Sequence, residues 1–138
     1  MKYLFCLTLL LSGVITNAQD IAGTYQLHSS SSDHELKRTL TLNADGTFEY
    51  YNFRWLKSGI PPETHTYGKG TWTQNKKIIV FSTEASDLDD KFTLDFNGTK
   101  ARFISKSPRD KSDRVIETSI RFYESEIFWI KGMTVVKK

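Results

Sequence analysis

Three histidines, one cluster of acids and a rich set of aromatic rings are the side chains here that chemistry could use. His28, His34 and His65 lie too far apart to make a close-spaced zinc motif, so three surface histidines are the simpler reading. Glu84, Asp87, Asp89 and Asp90 offer the hard oxygens that calcium takes. Their segment lacks the glycine and regular ligand spacing of an EF-hand, which favours a solvated loop at 84–90 whose carboxylates repel one another. No Gly-x-Ser-x-Gly turn is present to activate a serine, and Glu49 with Glu117 is a carboxylate pair that any sequence of this size contains. No catalytic residue, metal or cofactor is therefore assigned, and a non-enzyme is expected. Asn97-Gly98-Thr99 fits the N-glycosylation pattern and is read first as a turn.

The aromatics carry more information. Phe48, Tyr50, Trp72 and Phe103 sit where alternation points them toward an interior, and they are the candidate lining of a ligand pocket. If Phe48 and Tyr50 point inward, Tyr51, Phe53 and Trp55 point outward and form a patch before the loop Gly59-Ile60-Pro61-Pro62, whereas the reverse facing would line a pocket with them instead. The prolines stiffen that loop, which makes it a candidate protein-binding element.

These residues are held by extended segments. No stretch after residue 18 keeps helical spacing for more than a turn, whereas several alternate with period two. Strands are expected at 22–28, 36–42, 47–55, 69–73, 77–82, 92–96, near 101–103, at 114–123 and 126–131, with a last short one at 133–136. Leu36, Leu40 and Leu42 share one face of the second strand, on which Arg38 is the exception. Asn43-Ala44-Asp45-Gly46 and Asn97-Gly98 are hairpin turns by composition, the second suited to type I′. The change of aromatic parity near Tyr50 calls for either a β-bulge or burial of both faces. Residues 57–66 read as a loop. The sum is an all-β, single antiparallel up-and-down barrel of about eight strands, with a β-sandwich as the alternative. Closure removes the two unpaired edges that an open meander would expose.

Residues 1–18 read as a signal peptide: Lys2, an apolar run from Tyr3 to Ile15, and Thr16-Asn17-Ala18 before the cut. The run is too short to span roughly 30 Å of hydrocarbon. Cys6, the sole cysteine, lies within it, so residues 19–138 form one disulfide-free domain, exported to the periplasm or medium. With Lys2 removed from 19 basic residues against 16 acidic ones, the net charge becomes +2, which promises no nucleic-acid partner. No membrane span and a monomer are expected.

Ile21-Ala22-Gly23-Thr24-Tyr25, Leu40-Thr41-Leu42 before Asp45-Gly46-Thr47-Phe48, and Gly70-Thr71-Trp72 resemble exported bacterial lipocalin-like (calycin-type) domains. The resemblance covers the first half of the chain. It implies a barrel closed at one end by an aromatic residue under an arginine, and it points to Tyr25 and Arg121 as that pair. It also implies a small apolar ligand in the barrel mouth. The alternative is a protein-binding domain, such as a secreted protease inhibitor, using the 57–66 loop. Phe103→Arg should abolish ligand uptake if the barrel is hollow, whereas excising residues 57–66 should leave uptake intact and destroy partner binding.

Overall fold

The structure is a computed structural model that describes residues 21–138; the segment read as a signal peptide lies outside the described residues. Nine strands form: β1 (Gly23–Ser30), β2 (His34–Leu42), β3 (Thr47–Leu56), β4 (Glu63–Asn75), β5 (Ile78–Ser82), β6 (Phe92–Leu94), β7 (Thr99–Ile104), β8 (Ser119–Glu124) and β9 (Thr134–Lys137). Eight of them pair antiparallel in the ring β1-β2-β3-β4-β5-β7-β8-β9, and β9 returns to β1 through Tyr25↔Lys137 and Gln26↔Val136. The barrel is closed, as expected, and the sandwich is not formed. β6 stands outside the ring, parallel to β4.

The tightest local instruction is the turn between β2 and β3. Gly46 takes φ of 90°, the Asp45 carboxylate accepts from the Thr47 amide at 2.9 Å and from its hydroxyl at 2.6 Å, and the Asn43 amide donates to the Thr47 carbonyl at 2.9 Å. The hydrogen bonds from Thr47 hold the Asp45 carboxyl below the usual carboxylate range. From this turn the β2–β3 register runs unbroken from Leu42↔Phe48 to His34↔Leu56, with no bulge at Tyr50. Of the two explanations for the aromatic parity, burial of both faces is the one realised: Phe48, Tyr50 and Asn52 are buried inside, while Tyr51, Phe53 and Trp55 face outward and are half-buried.

Four expectations are corrected. The wall reaches further up β4 than expected, so residues 63–66 are strand and the loop shrinks to 57–62. Asn97-Gly98 does not join two paired strands: β7 pairs with β5, and the preceding segment turns inward so that Phe96 is fully buried. Only Gly98 has positive φ (77°), and the Thr99 amide donates to the Phe96 carbonyl at 3.0 Å, which is type II rather than type I′ geometry. Finally, residues 126–131 are not a strand. They coil between β8 and β9, with the Ile130 amide on the Ile127 carbonyl at 3.0 Å and the Met133 amide on the Ile130 carbonyl at 2.9 Å. Ile127, Ile130 and Met133 recur every third residue and plug the barrel, a period that a run this short does not distinguish from alternation. The strand expected from 114 begins only at Ser119.

Antiparallel order places residues 31–33, 57–62, 83–98 and 125–133 at one end of the barrel, the mouth, and the turns 43–46 and 76–77 with segment 105–118 at the other. The far end is sealed by Trp72, whose indole donates to the Asn43 carbonyl at 3.0 Å and whose amide donates to the Gly46 carbonyl at 2.8 Å. The interior is filled by interlocked rings: Phe48 meets Phe81 and Phe96 edge-on, each at 5.0 Å, and Phe96 meets Tyr50 at 5.3 Å. A Cβ on Gly68 would stand 2.5 Å from Phe96 Cε2, so a glycine there lets the ring lie against the wall.

Phe96 is held by Thr83. Buried Thr83 accepts from the Phe96 amide at 3.0 Å and donates to the Lys69 carbonyl at 3.2 Å, while Asn97 brackets its backbone at 3.0 and 2.5 Å. Those bonds occupy the Asn97 carboxamide that a glycan would need. Thr83→Val leaves the Phe96 N–H buried without an acceptor and is expected to cost about 1–3 kcal/mol in urea denaturation. Thr83→Ser should retain most of the stability, and equal losses in the two variants would contradict this role.

Candidate functional site

The residues proposed from sequence as a pocket lining are mostly packing. Phe48 (0% exposed), Tyr50 (1%) and Trp72 (5%) are covered by other side chains, and Phe103 packs against the core from β7 toward the sealed end. The middle of the barrel is therefore filled rather than hollow, as eight strands with large inward residues allow. Tyr25 is fully buried and its hydroxyl donates to the Ile21 carbonyl at 2.6 Å. Arg121 stands on the outer face, between inward Ile120 and Phe122 and opposite Arg102, so the barrel wall separates it from Tyr25. Gly59, Ile60, Pro61 and Pro62 lie at the mouth end, joined by a cis Ile60–Pro61 peptide bond, with Ile60 wholly exposed.

Space opens instead at the mouth. A cavity of about 320 Å³ is lined by Leu36 and Arg38 of β2, Asn52 and Arg54 of β3, Thr64 and Thr66 of β4, then Leu94, Phe128 and Trp129. The six strand residues are the mouth-end members of three inward-facing rows, paired as Leu36↔Arg54, Arg38↔Asn52, Asn52↔Thr66 and Arg54↔Thr64. The alternation that buries Leu40, Leu42, Phe48 and Tyr50 deeper down thus turns polar where the rows reach solvent.

Arg38 is the centre of this arrangement. Its Nε donates to Asn52 Oδ1 at 3.1 Å, its Nη1 donates to the Trp129 carbonyl at 3.2 Å and approaches Met133 Sδ at 3.3 Å, and its guanidinium carbon lies 4.7 Å from the centre of the Trp129 ring. An arginine does pack over an indole in this barrel, but through Arg38 and Trp129 at the mouth. The coil at 125–133 makes this possible, because only a turned backbone presents both the carbonyl and the ring of Trp129 to β2. The signal visible in the sequence was Arg38 itself, a charge on an otherwise apolar face.

The acids and histidines are engaged elsewhere. Asp87 accepts from the Glu84 amide at 2.8 Å, and Asp89 accepts from the Lys91 and Phe92 amides at 2.8 and 2.7 Å, bonds that hold the Asp89 carboxyl below its ordinary range. Backbone amides, rather than mutual repulsion, organise this loop. His28 pairs with Glu35 at 3.0 Å, His34 with Ser31 at 2.7 Å, and His65 with Tyr51 at 2.7 Å. Among the described residues no three of His, Cys, Asp and Glu converge as metal ligands. On the outer face Tyr51 stacks on Tyr67 at 5.0 Å, and Lys91 covers Tyr67 at 4.7 Å.

Fold and site together define a closed eight-stranded antiparallel barrel with a filled interior and an arginine-bearing mouth. Compared with protein-family models, curated proteins and solved structures, the chain matches none. No helix among the described residues is long and apolar enough to cross a membrane.

The filled core makes a prediction about alkali. Burial pushes the Tyr25 phenol up to about 12 from an ordinary 10.0 and raises Tyr50 as well, the nearby Arg38 only partly opposing it. Above pH 10 the unfolded chain releases phenolic protons that the folded chain keeps, so their contribution is intact below pH 10 and is lost as pH rises toward 12. Denaturation midpoints across that range should fall less steeply in Tyr25→Phe than in the parent chain. Parallel profiles would contradict burial of the phenol.

Proposed function

We propose that this domain is an exported, non-catalytic binding module of lipocalin-like kind that takes a small ligand at the barrel mouth. One observation carries the reading: the 320 Å³ cavity, at the small end of the roughly 300–1,000 Å³ typical of ligand pockets, opens where the barrel stops being filled. Its apolar wall is Leu36, Leu94, Phe128 and Trp129, and Phe128 is 86% exposed in a position to close over a guest. The ligand sits above the aromatic core, not within it. Phe103→Arg, directed at the sealed end, therefore no longer probes uptake.

The second reading, a protein-docking loop, is favoured by one feature, the fully exposed Ile60 in the 57–62 loop that follows β3. Excision of 57–66 would cut into β4, so Ile60→Asp is the cleaner probe.

A neutral fluorescent probe such as N-phenyl-1-naphthylamine tests the first reading. Trp129→Ala should weaken its binding about tenfold, the equivalent of losing one buried aromatic contact, with a smaller loss in Phe128→Ala and none in Phe53→Ala, whose ring lies outside. Probe binding unchanged by Trp129→Ala and Phe128→Ala would remove the mouth as the site.

A further inference from the structure

We infer that the mouth selects a small amphipathic acid, its carboxylate read by the Arg38 guanidinium and its apolar tail laid against Trp129 and Phe128. This rests on the mouth being a ligand site and adds the charge of the guest. Arg38 is half-buried, yet everything that fixes it is neutral: a carboxamide oxygen, a backbone carbonyl, a thioether and an indole face. Among the described residues it forms no ion pair. Its fixed bonds use Nε and Nη1, which leaves Nη2 without a hydrogen bond among the described residues.

The rest of the lining points the same way. Arg54, one inward step nearer the rim on the neighbouring strand, is solvent-exposed and adds positive charge at the entrance without an ion pair among the described residues, and the cavity lining contains no Asp or Glu. The acids next to the lining in sequence are Glu35, Glu63 and Asp95: Glu35 and Glu63, neighbours of inward Leu36 and Thr64, turn to the outer face, where they meet His28 and His65, and Asp95, beside Leu94, is exposed and accepts from the Asn97 amide at 2.9 Å. Thr64 and Thr66 add hydroxyl donors as the register partners of Arg54 and Asn52 on the adjacent strand β4. A guanidinium withdrawn from water with no counter-charge is costly, and an incoming carboxylate supplies that charge in a fork-shaped, charge-assisted contact that an alcohol or amine does not offer. The outer pair Arg102 and Arg121 is a weaker candidate for the same chemistry because both side chains are solvated.

Displacement of N-phenyl-1-naphthylamine by octanoate and by octanol, equal in chain length, separates charge from burial. In the parent chain octanoate should displace the probe at concentrations at least about tenfold lower than octanol, from the strength of hydrogen bonds to a charged group. Arg38→Gln should bring the two within roughly threefold by raising the octanoate value alone. Asn52→Asp, nearly isosteric, places a carboxylate on Arg38 inside the protein and should abolish the preference with the fold intact, as thermal denaturation would verify. Equal displacement by acid and alcohol in the parent chain overturns the charge inference and leaves the mouth as a site. Absence of probe binding overturns both. A preference that survives Arg38→Gln and Asn52→Asp overturns the assignment to Arg38.

Discussion

A closed ring of eight strands has a fixed interior, and strict alternation decides which side chains enter it. Here β2, β3 and β5 send large apolar residues to the middle while β4 faces them with Gly68 and Gly70, so the space is used up by Phe48, Tyr50, Phe81, Phe96 and Phe122 before the mouth is reached. Register then allows no exemption for the next inward positions. Arg38, Asn52 and Arg54 point into the ring because Leu40 and Tyr50 do. The polar mouth is a geometric consequence of the apolar core.

That consequence explains the anchoring of Arg38. An inward guanidinium needs partners, and the ring supplies Asn52 across the β2–β3 pair. The remainder comes from the coil at 125–133, which crosses the mouth, lends a carbonyl and lays an indole beneath the charge. The same coil buries Ile130 and Met133 over the core, so one segment both caps the packed interior and defines the floor of the cavity. Thr83 and Asn97 perform the equivalent task on the opposite wall, where they hold Phe96 inward and let β6 step outside the ring.

The parts legible in the sequence were those written in local chemistry. The all-β class, the Asn43–Gly46 turn and the facing of β2 follow from period-two patterns and turn residues, whereas the facing of β3, aromatic on both sides, was settled only by its register with β2. The pairing of β5 with β7 did not, because Asn97-Gly98 between two apolar runs looks like a hairpin until Phe96 is seen to turn into the core. Residues 126–131 misled for a related reason: Ile127, Trp129 and Ile130 satisfy alternation and three-residue spacing almost equally, and only the coil's own hydrogen bonds decide. Aromatic type suggested Phe48, Tyr50 and Trp72 as pocket lining, but type alone does not distinguish a filled barrel from a hollow one. The residue most diagnostic of the site was Arg38, conspicuous as an exception and interpretable only once its neighbours in space were known.

The mouth depends on Arg38 facing inward against Trp129. Nuclear Overhauser spectroscopy on isotopically labelled protein measures this directly through the Arg38 Hε proton. The predicted result is cross-peaks from Hε to the Trp129 ring and to the Asn52 side-chain amide, with slowed exchange against water. An Arg38 Hε that exchanges freely and shows neither contact would place the guanidinium outside the barrel and contradict the account.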